Sequence, residues 1–388
     1  MHNIVIIGAG YAGLSATVGL AGRTKHRDDV AITLISAEQR FTERLRLHQV
    51  GTGQALADLH VPTLLGGTGV RFVQGWVTAI DPLTSTVRVD DERDLHYDTL
   101  VHALGAVSDT ADVPGAAEHA HTFDDAHSAE LLAAALQALD GRGAGTVLVA
   151  GSGLTGVEAA AEIAEQHPAL DVVLAGREEP GADLGPKAQA YVLAALDRLG
   201  VTVRLGEIIK VTPTGVDLVD GESLAADAVL WTSGVRVPPL AARAGLETDA
   251  KGRIVTDTAL RSVTHPNVYA IGDSAAIRQG YGMLHGTCQS GMPTGVHAAV
   301  SIVRELKGAQ PRPFRFGYLH KPLSLGRNDA VVQFTRPDDS PGRFHLSGRL
   351  AVRYKETVSS SPWPAFARML TFPSSGSAAW RRGGRYTR

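Results

Sequence analysis

Three glycines near the start of the chain have the spacing of a nucleotide-phosphate turn. Gly8, Gly10 and Gly13 form a Gly-x-Gly-x-x-Gly motif directly after the apolar run at residues 4–7. In this motif the first glycine permits a tight turn, the second lets the backbone approach a diphosphate, and the third lets helix and strand pack closely. The helix that follows offers free N–H groups and a partial positive charge to the phosphates. The spacing therefore predicts a dinucleotide site.

The same motif occurs again in the middle of the chain. Gly151, Gly153 and Gly156 follow the apolar run at residues 146–150 and precede a helical pattern at residues 157–164. A single copy is weak evidence because glycines also cluster in ordinary turns, whereas two copies in the same strand–turn–helix setting are specific. The sequence thus predicts two dinucleotide-binding folds.

A third signal is the apolar strand pattern at residues 267–273, which ends in Gly272 and Asp273. On its own this pattern is typical of a plain turn. Downstream of two dinucleotide folds, we interpret it as a second contact with a flavin, in which Asp273 accepts a hydrogen bond from the ribityl chain. This interpretation makes FAD the predicted ligand of the first fold. We assign four further residues to the FAD site: Arg44, Val77, Ala103 and Gly105.

The end of the second strand of each fold determines which nucleotide is preferred. An acidic residue there holds the ribose 2′-hydroxyl, whereas a basic residue suits a 2′-phosphate. In the first fold Ser36 takes this place, and Glu38 could reach the ribose. In the second fold the strand leads into Arg177, which could pair with a phosphate, and no acid faces the ribose. We therefore predict that NADPH is accepted at least as well as NADH.

These motifs imply an α/β fold with two Rossmann-like, three-layer (ββα) dinucleotide-binding domains and a small C-terminal α+β region. We expect a discontinuous FAD domain at residues 1–110 and 230–312, an NAD(P)H domain at residues 111–229, and a C-terminal domain at residues 313–388. Strand patterns at residues 97–105 and 228–234 would return the chain from one domain to the next.

Composition excludes several classes of function. Lys and Arg number 37 against 40 Asp and Glu, giving a formal net charge of −3, which offers no general attraction to nucleic acid. The chain has one cysteine, Cys288, so an internal disulfide, a redox-active cysteine pair and a four-cysteine metal site are impossible. The histidines show no metal-ligand spacing, and no metal is predicted. With neither a leader-type N-terminus nor an apolar stretch of membrane-spanning length, we expect a cytoplasmic protein.

This layout resembles the two-dinucleotide-binding-domain flavoproteins, the pyridine nucleotide–disulfide reductase superfamily without its disulfide. Within that group the chain looks most like type II NADH dehydrogenases and the ferroptosis-suppressor (apoptosis-inducing-factor-homologous) quinone reductases. Four segments carry the resemblance, at residues 156–163, 267–273, 323–329 and 348–355. The third lies outside any nucleotide motif and separates this group from generic flavoproteins. The resemblance implies transfer of a hydride from NAD(P)H to FAD and onward to a quinone-type acceptor.

The resemblance also implies roles for three side chains. Glu158, which we place in the first turn of its helix, matches a glutamate near the nicotinamide and isoalloxazine; the alternative is a plain helix-end charge. Lys355 matches a lysine near the flavin; the alternative is a solvated surface lysine. Gln289 matches a glutamine at the flavin's pyrimidine edge and quinone pocket, although Pro293 replaces a second glutamine common in relatives. Cys288 is interpreted as a small buried residue.

The sequence allows two roles for the C-terminal segment. Trp363, Phe366, Met369 and Leu370 would share one face of a helix, which either caps the flavin pocket or touches a membrane surface with the basic stretch at residues 381–388 as its flank. A homodimer is possible. The function also has two alternatives: a flavoprotein reductase for another small molecule or a ferredoxin-type partner, and a nucleotide-sensing flavoprotein.

Overall fold

The computed structural model of the chain describes residues 1–378 and 380–383. The helices of this part, numbered in chain order, are α1 (Tyr11–Thr24), α2 (Leu47–Val50), α3 (Val61–Leu65), α4 (Ala116–His119), α5 (Ala126–Asp140), α6 (Leu154–Gln166), α7 (Pro186–Arg198), α8 (Leu240–Arg243), α9 (Cys288–Glu305), α10 (Gly348–Ser360) and α11 (Pro362–Thr371).

The strands, also numbered in chain order, are β1 (His2–Ile7), β2 (Val30–Ser36), β3 (Arg71–Gln74), β4 (Val77–Asp81), β5 (Thr86–Val89), β6 (Arg93–His96), β7 (Thr99–His102), β8 (Val107–Ser108), β9 (Ala120–His121), β10 (Thr146–Ala150), β11 (Asp171–Gly176), β12 (Thr202–Leu205), β13 (Ile208–Thr212), β14 (Gly215–Leu218), β15 (Ser223–Ala225), β16 (Ala228–Trp231), β17 (Val235–Arg236), β18 (Ile254–Val255), β19 (Val268–Ala270), β20 (Ala275–Ala276), β21 (Arg278–Gln279), β22 (Gly282–Met283), β23 (His320–Ser324), β24 (Ala330–Thr335) and β25 (Pro341–Ser347).

The first sheet is parallel, with strand order β19-β7-β1-β2-β3. Its central strand β1 is apolar along most of its length because helices and a second layer cover both faces of the sheet. The chain leaves β1 toward β2 on one side, whereas β7 lies on the other. The strand order therefore reverses beside β1, which is where open α/β sheets bind their ligands.

The second sheet repeats this plan, with parallel order β12-β11-β10-β16-β9. Each parallel sheet is accompanied by a small antiparallel sheet, β4-β5-β6 in the first fold and β13-β14-β15 in the second. Helices α1 and α6 follow the central strands and are buried along most of their length. The predicted fold class, with two Rossmann-like three-layer folds, is confirmed. The domain boundaries stay a prediction.

The C-terminal region contains the antiparallel sheet β23-β24-β25 and helices α10 and α11. Helix α11 forms as predicted, and the rings of Trp363 and Phe366 lie 5.9 and 5.5 Å from the ring of Phe41. Phe41 in turn meets Tyr11, the first residue of α1, edge-on at 4.9 Å. The apolar face of α11 is therefore packed against the first fold.

Within the part of the chain that the structure describes, no helix combines the length and apolar character needed to cross a membrane. Arg385 and Arg388 of the basic C-terminal stretch lie outside the described residues.

Candidate functional site

The first glycine turn lies between β1 and α1, and the geometry around each of its three glycines is different. Gly8 has a φ of +101°, and a Cβ there would lie 2.8 Å from the carbonyl carbon of Ala103. A Cβ on Gly13 would collide with the carbonyl oxygen of Gly8. Gly10 caps α1 and has nothing within 4 Å of its Cβ position. The turn thus packs at its two outer glycines and is open at the middle one.

The second turn, between β10 and α6, has the same geometry. Gly151 has a φ of +122°, and a Cβ there would lie 2.7 Å from the hydroxyl oxygens of Thr232 and Ser233. Gly156 packs against the carbonyl of Gly151, and Gly153 has open space at its Cβ position. The turn borders a cleft of about 510 Å³. Both turns can therefore receive a diphosphate at the N-terminus of a helix.

The ends of β2 and β11 occupy equivalent positions in the two folds. The amide of Gly8 donates to the carbonyl of Ile35 at 2.8 Å, and the amide of Gly151 donates to that of Ala175 at 2.7 Å. The next residue in each strand is the one expected to face a ribose, and it is Ser36 in the first fold. Neither this serine nor its counterpart in the second fold, a glycine, is acidic.

Arg177 follows β11 and is exposed at the edge of the nucleotide cleft, as expected from the sequence. Glu178 lines the same cleft, and its carbonyl accepts a hydrogen bond from the hydroxyl of Ser152 at 2.6 Å. Glu178 was not among the residues predicted from the sequence, although it occupies the place that Glu38 occupies in the first fold. The cleft therefore presents both a basic and an acidic side chain to the end of a bound nucleotide.

The turn after β19 places Asp273 in a short 3-10 helix, Gly272–Ser274, next to the first glycine turn. Its position is fixed by the amide of Gly272, which donates to the hydroxyl of Thr294 at 2.9 Å. The carboxylate of Asp273 makes no hydrogen bond or ion pair with any described residue. Burial raises its pKa above the ordinary value, and Arg44 and His285 oppose that rise. A hydroxyl-bearing ligand could satisfy this carboxylate.

Arg44 lies across the loop that follows β7. Its Nη1 donates to the carbonyl of Ala106 at 2.7 Å and lies 3.9 Å from the Cβ position of Gly105. Ala103 therefore borders the first glycine turn, while Arg44 lies beside Gly105 and within electrostatic reach of Asp273. Val77 starts β4, beyond the end of β3, and is partly buried against the core.

Glu158 is placed in the second turn of α6, because the helix already begins at Leu154. The expected position in the first turn is therefore wrong, and Glu158 is not a helix-end charge. Its carboxylate accepts hydrogen bonds from the amide and hydroxyl of Ser324, at 2.9 and 3.1 Å, and a short one from Nζ of Lys355. Burial alone would raise the pKa of Glu158. The opposing effect of Lys355 and His48 is larger, so the pKa lies below its ordinary value.

Lys355 lies on α10 with only 5% of its surface exposed, so it is not a solvated surface lysine. Its ammonium group is held by Glu158 and by the carbonyl of Pro322 at 3.3 Å. The ion pair connects a helix of the second fold with the C-terminal region. Two charged groups are thus fixed beneath the surface where the folds meet.

His48 on α2 is a site residue that sequence reasoning missed. It is 4% exposed, and its Nε2 has no hydrogen-bond partner among the described residues. Burial lowers its pKa to about 4, while the nearby Glu158 carboxylate partly opposes this. The imidazole is therefore neutral near pH 7. No motif marks this histidine, which only the fold brings toward Glu158.

Gln289 and Cys288 begin α9, as expected. The side-chain amide of Gln289 donates to the carbonyl of His320 at 2.8 Å and accepts from the amide of Leu319 at 2.7 Å. Its polar atoms are thus engaged by backbone, which ties α9 to β23, and its role at a flavin stays a prediction. Burial raises the pKa of the Cys288 thiol to about 12, so it remains a thiol.

Among residues 1–378 and 380–383, no three or more His, Cys, Asp or Glu side chains are grouped so that they could hold a metal ion. The first turn and its unpartnered Asp273 fit a flavin dinucleotide, and the second turn and its cleft fit a pyridine nucleotide.

Comparisons with known proteins agree with this geometry. Residues 2–301 match the profile of the pyridine nucleotide-disulphide oxidoreductase family. An NADH dehydrogenase-like protein of Mycobacterium tuberculosis is 33% identical over 352 residues, covering 85% of this chain and 87% of the relative. The type II NADH:quinone oxidoreductase of Staphylococcus epidermidis is 30% identical over 360 residues, covering 84% and 88%.

The fold is also similar to that of a solved structure. NDH2 from Plasmodium falciparum, determined in complex with NADH, superposes with a TM-score of 0.80 at 14% identity, covering 96% of this chain and 98% of that one.

Proposed function

Since the chain belongs to the pyridine nucleotide-disulphide oxidoreductase family, we propose that it transfers a hydride from NAD(P)H to FAD and passes the electrons to a quinone. It is a pyridine nucleotide oxidoreductase whose cofactors are FAD and NADH or NADPH. The chain has a single cysteine, so electrons cannot pass through a disulfide within it. Burial raises the pKa of that one thiol, Cys288, to about 12, so in this proposal the acceptor takes electrons from the flavin directly.

The observation that carries this proposal is the buried ion pair between Glu158, on the helix that starts at the second nucleotide turn, and Lys355, on α10. Both partners are nearly inaccessible to solvent, at 9% and 5% exposure. Isolated charges in such a place are costly, and perturbed pairs of this kind cluster at functional sites. The pair supports a redox site between the folds.

The chain's own residues have distinct tasks in this scheme. Gly10 and the N-terminus of α1 would hold the FAD diphosphate, and Asp273 would accept a hydrogen bond from the ribityl chain. Gly153 and the N-terminus of α6 would hold the diphosphate of NAD(P)H. The flavin supplies hydride acceptance and onward electron transfer when bound. Glu158 and Lys355 would supply a fixed charge pair and proton-holding groups to this site.

A quinone is favoured as the acceptor for two reasons. A relative of similar length is named an NADH:quinone oxidoreductase, and the Lys355 ammonium could stabilise negative charge that develops on a quinone oxygen. The alternatives are another small-molecule acceptor or a ferredoxin-type partner.

An acceptor panel tests the proposal. Steady-state oxidation of NADH and NADPH would be measured with a short-chain ubiquinone, a menaquinone analogue, a ferredoxin and dioxygen. The proposal predicts the highest kcat/KM with one of the quinones. Turnover that is fast only with ferredoxin would contradict it and support the protein-partner alternative.

We also propose a cytoplasmic enzyme with at most peripheral membrane contact, and a homodimer stays a prediction. The apolar face of α11 is occupied by packing, so any contact must use another surface. Phe344 and Leu350 are 78% and 66% exposed, beside exposed Arg343, Arg349 and Arg353. Co-sedimentation with anionic but not neutral liposomes would support such contact. A protein that pellets with neither kind of liposome would contradict the proposed membrane contact. Analytical ultracentrifugation would test the dimer.

A further inference from the structure

Behind the Glu158–Lys355 pair lies a second buried carboxyl group that the proposed function does not use. Glu162 follows Glu158 by one turn of α6 and therefore lies on the same face of the helix. It is 0% exposed. One carboxylate oxygen accepts a hydrogen bond from Nε2 of Gln54 at 2.6 Å, and Nε of Arg327 lies 3.2 Å from that same oxygen.

Two buried polar atoms near this ion pair have no hydrogen-bond partner among the described residues, Oε2 of Glu162 and Nε2 of His48. Buried polar atoms are nearly always bonded to protein or to ordered water. Arg327 and Glu158 lie within electrostatic reach of both His48 and Glu162. These side chains therefore define an internal polar site that water could bridge.

The pKa values of Glu158 and Glu162, both on α6, are shifted in opposite directions. Burial raises the pKa of Glu162, and Gln54 and Arg327 only partly oppose it, while Glu165 and Glu158 add to the rise. The pKa of Glu158 is lowered, because Lys355 and His48 outweigh its burial. Neighbouring groups whose pKa values are pushed apart can divide the tasks of holding and receiving a proton.

Gln54 connects this site to solvent. It is partly buried and lines a cleft of about 340 Å³ between residues 40–56 and α5. This cleft shares no lining residue with the nucleotide cleft. Gln54 thus joins the cleft to Glu162, and both Glu162 and His48 lie within electrostatic reach of Glu158.

Quinone reduction requires a route for a proton. The hydride of NAD(P)H carries two electrons and one proton, whereas a hydroquinone contains two added electrons and two added protons. One proton per turnover must therefore come from solvent, yet Glu158 and Lys355 are buried. We propose that Glu162 relays this proton from the cleft at Gln54, through His48, to the Glu158–Lys355 pair. This inference rests on the proposed quinone reductase function.

The test is the variant Glu162→Gln, which keeps the shape of the side chain and its ability to accept from Gln54 but cannot carry the proton. Turnover with a short-chain quinone should fall about 100-fold, the lower end of the range for loss of an acid–base group. Ferricyanide takes up electrons without protons, so its reduction and the anaerobic reduction of FAD by NAD(P)H should stay within about twofold. Infrared spectra of the oxidised wild-type protein should show a carboxylic acid band that the variant lacks.

Glu165→Gln is the matched control. Glu165 lies on the same helix, less than one turn further on, and accepts a hydrogen bond from the amide of Arg327 at 2.5 Å. Glu165 acts on Glu162 only through its charge, so quinone turnover should fall far less than in Glu162→Gln. Gln54→Leu is a second variant at the rim of the cleft, and it should slow quinone turnover without changing ferricyanide turnover.

Two results would overturn the relay: equal losses with quinone and ferricyanide in Glu162→Gln, or unchanged quinone turnover. If the wild-type protein reduces no quinone at all, the proposed function itself fails. In that case the infrared band still decides whether Glu162 holds a proton.

Discussion

Glu158 and Lys355, which are 197 positions apart in the chain, form a buried ion pair. Glu158 belongs to the helix that follows the second nucleotide turn, and Lys355 belongs to the C-terminal helix α10. Ser324, at the end of β23, donates two further hydrogen bonds to the same carboxylate. The C-terminal region therefore completes a site that the second fold begins.

Breaking this pair from one side should cost more than removing it altogether. Lys355→Met leaves the Glu158 carboxylate buried without its cation, which should lower the free energy of unfolding by about 3–5 kcal/mol. Glu158→Gln leaves the ammonium group buried in the same way. The loss of unfolding free energy in the double variant should be smaller than the sum of the losses in the two single variants. Urea unfolding of all four proteins measures the coupling, and strictly additive effects would show that the two charges do not interact.

Substituting the middle glycine of each turn should weaken the binding of a different ligand. Gly10→Ala and Gly153→Ala meet no protein atom within 4 Å, so both proteins should fold with little loss of stability. Each added methyl group would obstruct a diphosphate. Gly10→Ala should purify with less FAD, whereas Gly153→Ala should keep its FAD and show a raised KM for NAD(P)H.

Flavin absorbance and steady-state kinetics distinguish these outcomes. Gly8→Ala is the structural control, because its positive φ and its contact with Ala103 predict a large loss of stability. If Gly10→Ala retains full FAD occupancy and affinity, the first turn is not the diphosphate site.

Nucleotide preference should depend on Arg177 and Glu178. We expect NADPH to be used at least as well as NADH, with Arg177 pairing with the 2′-phosphate. Arg177→Ala should raise KM for NADPH and leave KM for NADH nearly unchanged. Glu178→Ala, the neighbouring control in the same cleft, should not weaken NADPH binding. A wild-type kcat/KM for NADH more than about tenfold above that for NADPH, or about 1.4 kcal/mol, would contradict this prediction.

The sequence predicts those features that depend on local spacing. The glycine motifs, the flanking strands and α9 form where their patterns indicate, because turn geometry and apolar periodicity act over a few residues. The error at Glu158 arose because α6 starts directly after Gly153 rather than at the apolar pattern. Helix boundaries are set by capping geometry that a periodic pattern does not resolve.

The arrangement of the site depends on contacts between distant segments and was not predictable in this way. His48 carries no motif, and only the packing of α2 against α6 brings it toward Glu158. Gln289 matches a flavin-contacting position, yet its amide bonds to the backbone of Leu319 and His320. The sequence contains no signal for either relationship.

Stability should decrease as the pH falls below neutrality. Burial lowers the pKa of four histidines from 6.5 to about 4, namely His48, His102, His297 and His320. Between about pH 6.5 and 4 the unfolded chain binds protons at these residues that the folded chain does not, so the free energy of unfolding must fall. Glu162 and Asp273, with raised pKa values, act in the opposite direction.

Urea unfolding at about pH 7.5 and pH 5.5 measures this effect. The wild-type protein should be less stable at the lower pH, and His297→Gln should show a smaller difference between the two conditions. Equal stability at both values would mean that these histidines are protonated in the folded protein.

The central claim is that this chain carries electrons from a pyridine nucleotide through FAD to a quinone, and anaerobic stopped-flow spectroscopy tests it most directly. Mixing with NADPH should bleach the FAD absorbance, and a second mix with a short-chain quinone should restore it at a rate no slower than kcat. Glu158→Gln should keep its FAD but be slowed in at least one of the two steps. Rapid bleaching followed by slow recovery with every quinone tried would contradict the account and indicate a nucleotide-sensing flavoprotein.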